Sequence, residues 1–160
     1  MTTFKTFCLL PLLGSFALAA PLSGPGGPPG MGGDVTGSAS VSLTATNLGG
    51  GLYSLYASAT FSATVDPNAA SSYDIISSLD VFGPDGNGGT KSYAGYYYTA
   101  VTNLPPGYSF GPWTMDTQPP PTTTISGTYR AVASLGAEES GGNAGAMLIV
   151  ATNEDTAVVP

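Results

Sequence analysis

Hydrophobic and polar residues alternate strictly along the stretch from Tyr53 to Val65. Every odd position is apolar, and every even position is polar except Tyr56. Successive side chains of a strand point to opposite faces, so this stretch has one dry face and one solvated face. No helical period fits it, and its β-branched and aromatic residues favour a pleated surface. We predict a long strand with which other strands pair or across which they pack.

Similar patterns along the rest of the chain predict six further strands. One begins at Ser38, and the glycines at 49–51 let the chain reverse into the long strand as a hairpin. The others span residues 72–82, 91–103, 108–115, 123–135 and 146–151. Pro112 limits strand 108–115 to a short or edge strand. Strand 146–151 is an unbroken apolar run, which suits a central strand or an edge strand covered by a loop.

Seven strands separated by frequent turns indicate an all-β fold, an antiparallel sandwich of two sheets. In strand count the chain resembles an immunoglobulin-like or fibronectin type III-like sandwich. The resemblance implies a tyrosine corner, and Tyr129 is the residue we expect to form it. The chain departs from the immunoglobulin pattern because it has no cysteine pair and no tryptophan in its third predicted strand. A jelly roll is the alternative fold.

The first residues have the pattern of a secretory signal peptide. Lys5 precedes an apolar segment from Cys8 to Leu18, and Ala17-Leu18-Ala19 forms a small-x-small cleavage site. The apolar segment is too short to span a bilayer, which needs about 20 residues. We therefore predict a signal peptide at 1–19, a Pro/Gly-rich flexible lead at 20–34, a sandwich domain at 35–153 and a tail at 154–160.

Charge and residue content narrow the chemistry of the mature chain. Cleavage removes Lys5 and the single cysteine, so Lys91 and Arg130 then face ten acidic residues and the net charge changes from −7 to −8. Such a charge disfavours nucleic acid and anionic membranes as partners. Without histidine or cysteine there is no Ser-His-Asp triad and no ordinary zinc, copper or iron site. We expect no cofactor, no metal and no enzymatic activity.

Two kinds of carboxylate chemistry stay open. A glycosidase needs two carboxyl groups across a sugar, and a pair distant in sequence, such as Asp80 with Asp116, is the remaining candidate. Calcium takes oxygen ligands, and Asp85 and Asn87 have the alternate spacing that begins a calcium loop, although no closing glutamate follows. A plain hairpin turn explains the Asp-Gly and Asn-Gly pairs without an ion.

Aromatic residues are the strongest binding candidates in the sequence. Tyr96 and Tyr98 share one face of a predicted strand and Tyr97 takes the other, so one tyrosine side is exposed. Tyr108 and Trp113 follow in a Pro/Gly-rich segment. Exposed rings with polar tips stack against sugars or anchor a protein partner. The alternative is that these rings fill the core and its rims.

Together these features predict a secreted, non-enzymatic β-sandwich that acts at a cell surface, wall or host interface, as an effector-like or a wall- or spore-associated protein. Its partner would be an extracellular protein or a glycan, and its location extracellular or cell-wall associated. Neither nucleic-acid binding nor membrane insertion is expected. The alternatives are a carbohydrate-binding module that uses exposed aromatic rings and a carboxylate-based glycosidase.

Overall fold

The computed structural model describes residues 33–141 and 147–160, and the regular elements in these ranges are all β-strands. The predicted signal peptide and most of the Pro/Gly-rich lead lie outside them. The strands are β1 (Val35–Gly49), β2 (Leu52–Val65), β3 (Tyr73–Pro84), β4 (Thr90–Leu104), β5 (Ser109–Asp116), β6 (Thr122–Thr123), β7 (Gly127–Glu139) and β8 (Leu148–Val159). In the described ranges no helix is long and apolar enough to cross a membrane.

The strands form two antiparallel sheets that pack together, which confirms the predicted all-β sandwich. In the first sheet β2 lies between β1 on one side and β5 and β6 on the other. The second sheet has the order β4-β3-β7-β8. β1 packs against β8, so β4 and β5 lie together at the opposite side of the sandwich. The immunoglobulin-like or fibronectin type III-like subtype stays a prediction.

β2 is the long strand we predicted, and its alternation decides which face enters the core. Its buried residues are the odd-numbered ones from Leu55 to Val65. β1 pairs with β2 along its whole length, from Val35 opposite Val65 to Gly49 opposite Leu52, so the predicted hairpin is confirmed. The chain reverses at residues 49–51, where all three glycines have positive φ, a region that glycine enters without steric cost.

The second sheet supplies the other half of the core from alternate residues of β3 and β7. The inward set predicted for β3 is buried, namely Tyr73, Ile75, Leu79 and Val81. β7 adds Tyr129, Ala131, Ala133 and Leu135, each with no exposed surface. Burial of apolar area at roughly 25 cal/mol per Å² is the main force that holds the two sheets together.

The predicted strand 123–135 is wrong as a single element. Thr123 pairs with Tyr53 in the first sheet, whereas Tyr129 pairs with Ala157 in the second sheet. The chain therefore crosses from one sheet to the other between β6 and β7. Ile125, which we predicted on an inward strand face, lies in this crossing segment and belongs to no strand.

The predicted tail is also wrong, because β8 continues to Val159. β8 is an edge strand that pairs with β7, not a central strand. Asn153 and Asp155 take inward positions opposite the buried Ala133 and Ala131 of β7, so the sequence there shows no hydrophobic alternation. Asp155 is satisfied across the sandwich, where its Oδ2 accepts the backbone N–H of Leu43 at 2.8 Å. The tail prediction failed because these inward residues are polar.

Candidate functional site

The three consecutive tyrosines lie in the middle of the edge strand β4. Tyr98 is opposite the buried Ser77. Tyr97 is opposite Ser78 on the other face. Directly opposed residues of an antiparallel pair share a face, so Tyr96 and Tyr98 project to one side and Tyr97 to the other, as predicted. Tyr97 is 66% exposed and Tyr98 57% exposed, while Tyr96 is half-buried.

Trp113 lies on β5, at the same side of the sandwich as β4. Its ring stacks on the buried Phe61 with centroids 5.4 Å apart and tilts against Phe110 at 4.9 Å. Trp113 is therefore half-buried at the margin of the core, and among the described residues its Nε1 has no hydrogen-bond partner. Tyr108, just before β5, is 63% exposed. Of the predicted residues, Tyr97, Tyr98 and Tyr108 thus offer the most ring surface to a partner.

The even-numbered residues of β1 and β2 form a surface that the sequence analysis did not single out. We call it the hydroxyl face, and its serines and threonines are Thr36, Ser38, Ser40, Ser42, Thr44, Thr46, Ser54, Ser58, Thr60, Ser62 and Thr64. Neither strand carries a charged residue. Hydroxyl groups meet across strands, with Oγ atoms 2.8 Å apart both for Ser38 with Ser62 and for Thr64 with Ser109 of β5.

A pocket of about 280 Å³ opens where the start of β4 meets β6. We call it the Lys91 pocket, and it is lined by Leu52, Lys91, Tyr93 and residues 122–125. The Lys91 Nζ lies 4.6 Å from the centre of the Tyr93 ring, a cation–π contact. The sequence did not reveal this pocket, because the crossing of the chain after β6 is what brings residues 122–125 beside Lys91.

A hydrogen-bond network holds Tyr93 and Thr123, two residues that line the Lys91 pocket. The Tyr129 hydroxyl donates to the carbonyl of Ile125 at 2.7 Å, four residues upstream, which is the contact of a tyrosine corner. A phenol has one proton, so at 2.7 Å the Thr123 hydroxyl donates to the Tyr129 oxygen. Tyr93 donates to the carbonyl of Pro84 at 2.7 Å. These bonds fix the positions of both rings.

The two tyrosines of this network differ in acidity. Burial opposes ionisation of Tyr93, but its contacts with the Thr123 and Tyr129 hydroxyls together with the charge of Lys91 lower the pKa of Tyr93. Burial raises the pKa of Tyr129. The contact with Tyr93 raises this pKa further, whereas the hydrogen bond with Thr123 lowers it. Their rings meet edge to face with centroids 5.2 Å apart. Tyr93, beside the ammonium group, is thus the more acidic phenol of the pair.

The carboxylates proposed as a distant pair are not brought together. Asp80 lies on the outer face of the second sheet, whereas Asp116 lies on the first sheet and accepts a hydrogen bond from Tyr56 at 3.2 Å. The strand register instead places Asp74 opposite Glu138, a pair that we did not predict. This pair also lies on the outer face of the second sheet, whereas a glycosidase needs its carboxyl groups to flank a sugar in a cleft.

Asp85 closes the turn between β3 and β4. Its Oδ1 accepts the backbone N–H groups of Asn87 at 2.7 Å and Gly89 at 2.9 Å. These two bonds, with a smaller effect from the charge of Lys91, lower the pKa of Asp85. This is the hairpin-turn geometry that we offered as the alternative to a calcium loop. Among residues 33–141 and 147–160, no three His, Cys, Asp or Glu side chains group closely enough to hold a metal ion.

Comparison with protein-family models finds no match for the chain, and comparison with curated proteins finds none. Function therefore has to be inferred from the residues and their geometry. The described part of the chain offers three features for this purpose: the hydroxyl face, the exposed tyrosines near the β4–β5 side, and the Lys91 pocket.

Proposed function

We propose that this protein is a secreted, non-enzymatic β-sandwich that acts at a cell surface, wall or host interface by adhering to a neutral, hydroxyl-rich polymer. The hydroxyl face is the observation that carries this proposal. Secretion is supported by the signal-like pattern of residues 1–19. Mass spectrometry of the secreted chain tests it, with a mature amino terminus at Ala20 as the expected result.

The hydroxyl face suits a neutral polysaccharide because each of its side chains both donates and accepts hydrogen bonds. It is uncharged on β1 and β2, although the chain as a whole carries a net charge of −7. Residues two apart on a strand lie roughly 7 Å apart and neighbouring strands about 4.8 Å apart, so the hydroxyl groups form a regular array. Cross-strand contacts such as Ser38 with Ser62 hold this array in place.

Binding to insoluble wall polysaccharides, such as chitin, cellulose and β-glucan particles, tests the proposal. Adhesion through uncharged groups should persist at about 1 M salt, where charge–charge attraction is screened. A lysine pair on the hydroxyl face, Ser40→Lys with Ser42→Lys, should weaken binding by at least about tenfold, because each ammonium group must lose water at the contact. Thr152→Lys, at an exposed position on the other sheet, is the matched control. Equal binding by all three proteins would refute adhesion through this face.

A carbohydrate-binding module that uses tyrosine rings is the second candidate, and the exposure of Tyr97 and Tyr98 favours it. Flat rings with polar tips stack on sugar rings. In the same assay either Tyr97→Ala or Tyr98→Ala, according to which face of β4 binds the sugar, would then abolish binding, whereas Ser40→Lys would leave it intact. Val158→Ala, which truncates an equally exposed apolar side chain on β8, is the control.

A further inference from the structure

The Lys91 pocket has the features of a small-ligand site separate from the hydroxyl face and the exposed tyrosines. Its volume of about 280 Å³ lies near the lower end for small-molecule sites, which span roughly 300–1,000 Å³. A single sugar ring or a molecule of similar size matches this volume, and a polymer segment does not. Leu52 and Ile125 supply apolar contacts, while residues 122–124 are all threonines.

Lys91 is the charged group of this pocket, and it is available to an anion. In the described ranges the one ion pair joins Arg130 to Glu154 at 3.3 Å. Asp85 acts on Lys91 from a greater distance, and two backbone N–H groups already occupy its Oδ1 atom. The contact with the Tyr93 ring holds the ammonium group at the pocket without neutralising it. Lys91 therefore supplies a single positive charge to the pocket.

The charge balance of the site favours a ligand with one negative charge. One ammonium group neutralises one carboxylate, and the acidic chain around it disfavours ligands with more charge. Hydroxyl groups on the ligand would meet Thr122 and Thr124, which are exposed at the rim, whereas Thr123 is committed to Tyr129. An apolar ring face would rest on Leu52 or Ile125.

We propose that the Lys91 pocket binds the carboxylate-bearing ring of an acidic sugar, with Lys91 on the carboxylate and the rim threonines on the ring hydroxyls. The site does not depend on the hydroxyl face. Either binding activity can therefore fail without the other.

An NMR titration of the isotope-labelled mature chain at low ionic strength tests this proposal, with glucuronate, glucose and acetate as the probes. Glucuronate should give saturable shifts at the amides of residues 91–93 and 122–125. Glucose and acetate should each bind at least about tenfold more weakly, because each lacks one half of the recognised chemistry. Shifts of equal size with glucose, or acetate binding as tightly as glucuronate, would overturn the assignment to an acidic sugar.

Substitutions in the pocket test separately the contact with the ligand carboxylate and the contacts with its hydroxyl groups. Lys91→Gln should abolish glucuronate binding, and Lys91→Arg should retain most of it, because the charge is kept. Thr124→Val should weaken glucuronate and leave acetate unchanged. Arg130→Gln, which removes the other described cation, is the control and should bind as the parent does. Undiminished binding by Lys91→Gln, with an unchanged amide spectrum showing that it is folded, would exclude this pocket.

Discussion

The ring of Tyr129 occupies the space that a β-carbon on Gly83 would need. Gly83 lies at the end of β3, and Tyr129 lies completely buried near the start of β7. A glycine within a strand normally weakens the strand. Here the missing side chain of Gly83 lets the Tyr129 ring approach the backbone closely. This approach places the Tyr129 hydroxyl beside Thr123 and Tyr93, two residues that line the Lys91 pocket.

Gly83→Ala should therefore destabilise the protein. The added methyl group forces the buried ring of Tyr129 to move, and overpacking of this kind costs about 1–3 kcal/mol. Urea-induced unfolding followed by circular dichroism measures the difference. Gly33→Ala is the control, because a β-carbon there has no neighbour within 4 Å, and it should change stability by no more than about 0.5 kcal/mol. Equal unfolding midpoints for both variants would contradict the close approach.

The phenol of Tyr73 should make stability depend on alkaline pH. Burial and the hydrogen bond that Tyr73 donates to Asp34 at 2.8 Å, with the charges of Asp34 and Glu139, raise the pKa of Tyr73 from 10.0 to about 12. A folded-state pKa above the unfolded one gives stability that is fully present below pH 10 and lost as the pH rises towards 12.

Tyr73→Phe removes this contribution, so its free energy of unfolding should fall less steeply between about pH 10 and 12 than that of the parent. Unfolding curves in urea across this range provide the comparison. Tyr108→Phe, at an exposed position, should follow the parent curve. Parallel curves for Tyr73→Phe and the parent would show that Asp34 does not hold the Tyr73 proton.

Two aspartates should respond to neutralisation in opposite directions. Burial raises the pKa of Asp80, and a hydrogen bond from Ser78 only partly offsets this effect. Ionised Asp80 therefore lowers the stability of the fold once the pH exceeds 3.8, the pKa of the unfolded state. Hydrogen bonds from Asn87 and Gly89 lower the pKa of Asp85. Ionised Asp85 therefore stabilises the fold above pH 3.8, and this stabilisation is lost as the pH falls through the folded-state pKa.

At pH 7 we therefore expect Asp80→Asn to stabilise the protein and Asp85→Asn to destabilise it. Both differences should be smaller at about pH 3 than at pH 7, because the parent carboxyl groups bind protons as the pH falls. Thermal unfolding at the two pH values measures them. A shift of the same sign for both variants at pH 7 would contradict the different surroundings of the two carboxylates.

Trp113 should behave as a core residue in stability measurements. Because its ring packs on Phe61 and Phe110, Trp113→Ala should lower the free energy of unfolding by about 3 kcal/mol. Trp113→Phe keeps a ring and removes an Nε1 group that has no partner among the described residues, so it should cost much less.

The fluorescence of Trp113, the single tryptophan of the chain, checks its environment directly. Its emission should shift to longer wavelength on unfolding, since the half-buried ring then becomes fully hydrated. Emission already at the wavelength of free tryptophan in the folded state would show that the ring is open to solvent. Trp113 would then return as a candidate binding residue.

Local alternation was enough to predict the strands that bury a regular apolar face. The inward set of β2, the hairpin with β1 and the opposite faces of Tyr97 and Tyr98 all follow from a period of two residues. The same rule fails in β8, where Asn153 and Asp155 take inward positions, because the alternation of side-chain direction continues when the alternation of polarity stops.

By itself the sequence determined that this chain forms antiparallel sheets, which residues of the long strands face inward, and which chemistry its missing histidines exclude. Only the tertiary structure decided that Thr123 and Tyr129 belong to different sheets, that Asp74 faces Glu138, and that Lys91 borders a pocket with residues 122–125. Side-chain direction is a local property of the backbone. Proximity between distant segments depends instead on which strands pair and how the two sheets stack, and a single sequence does not specify these.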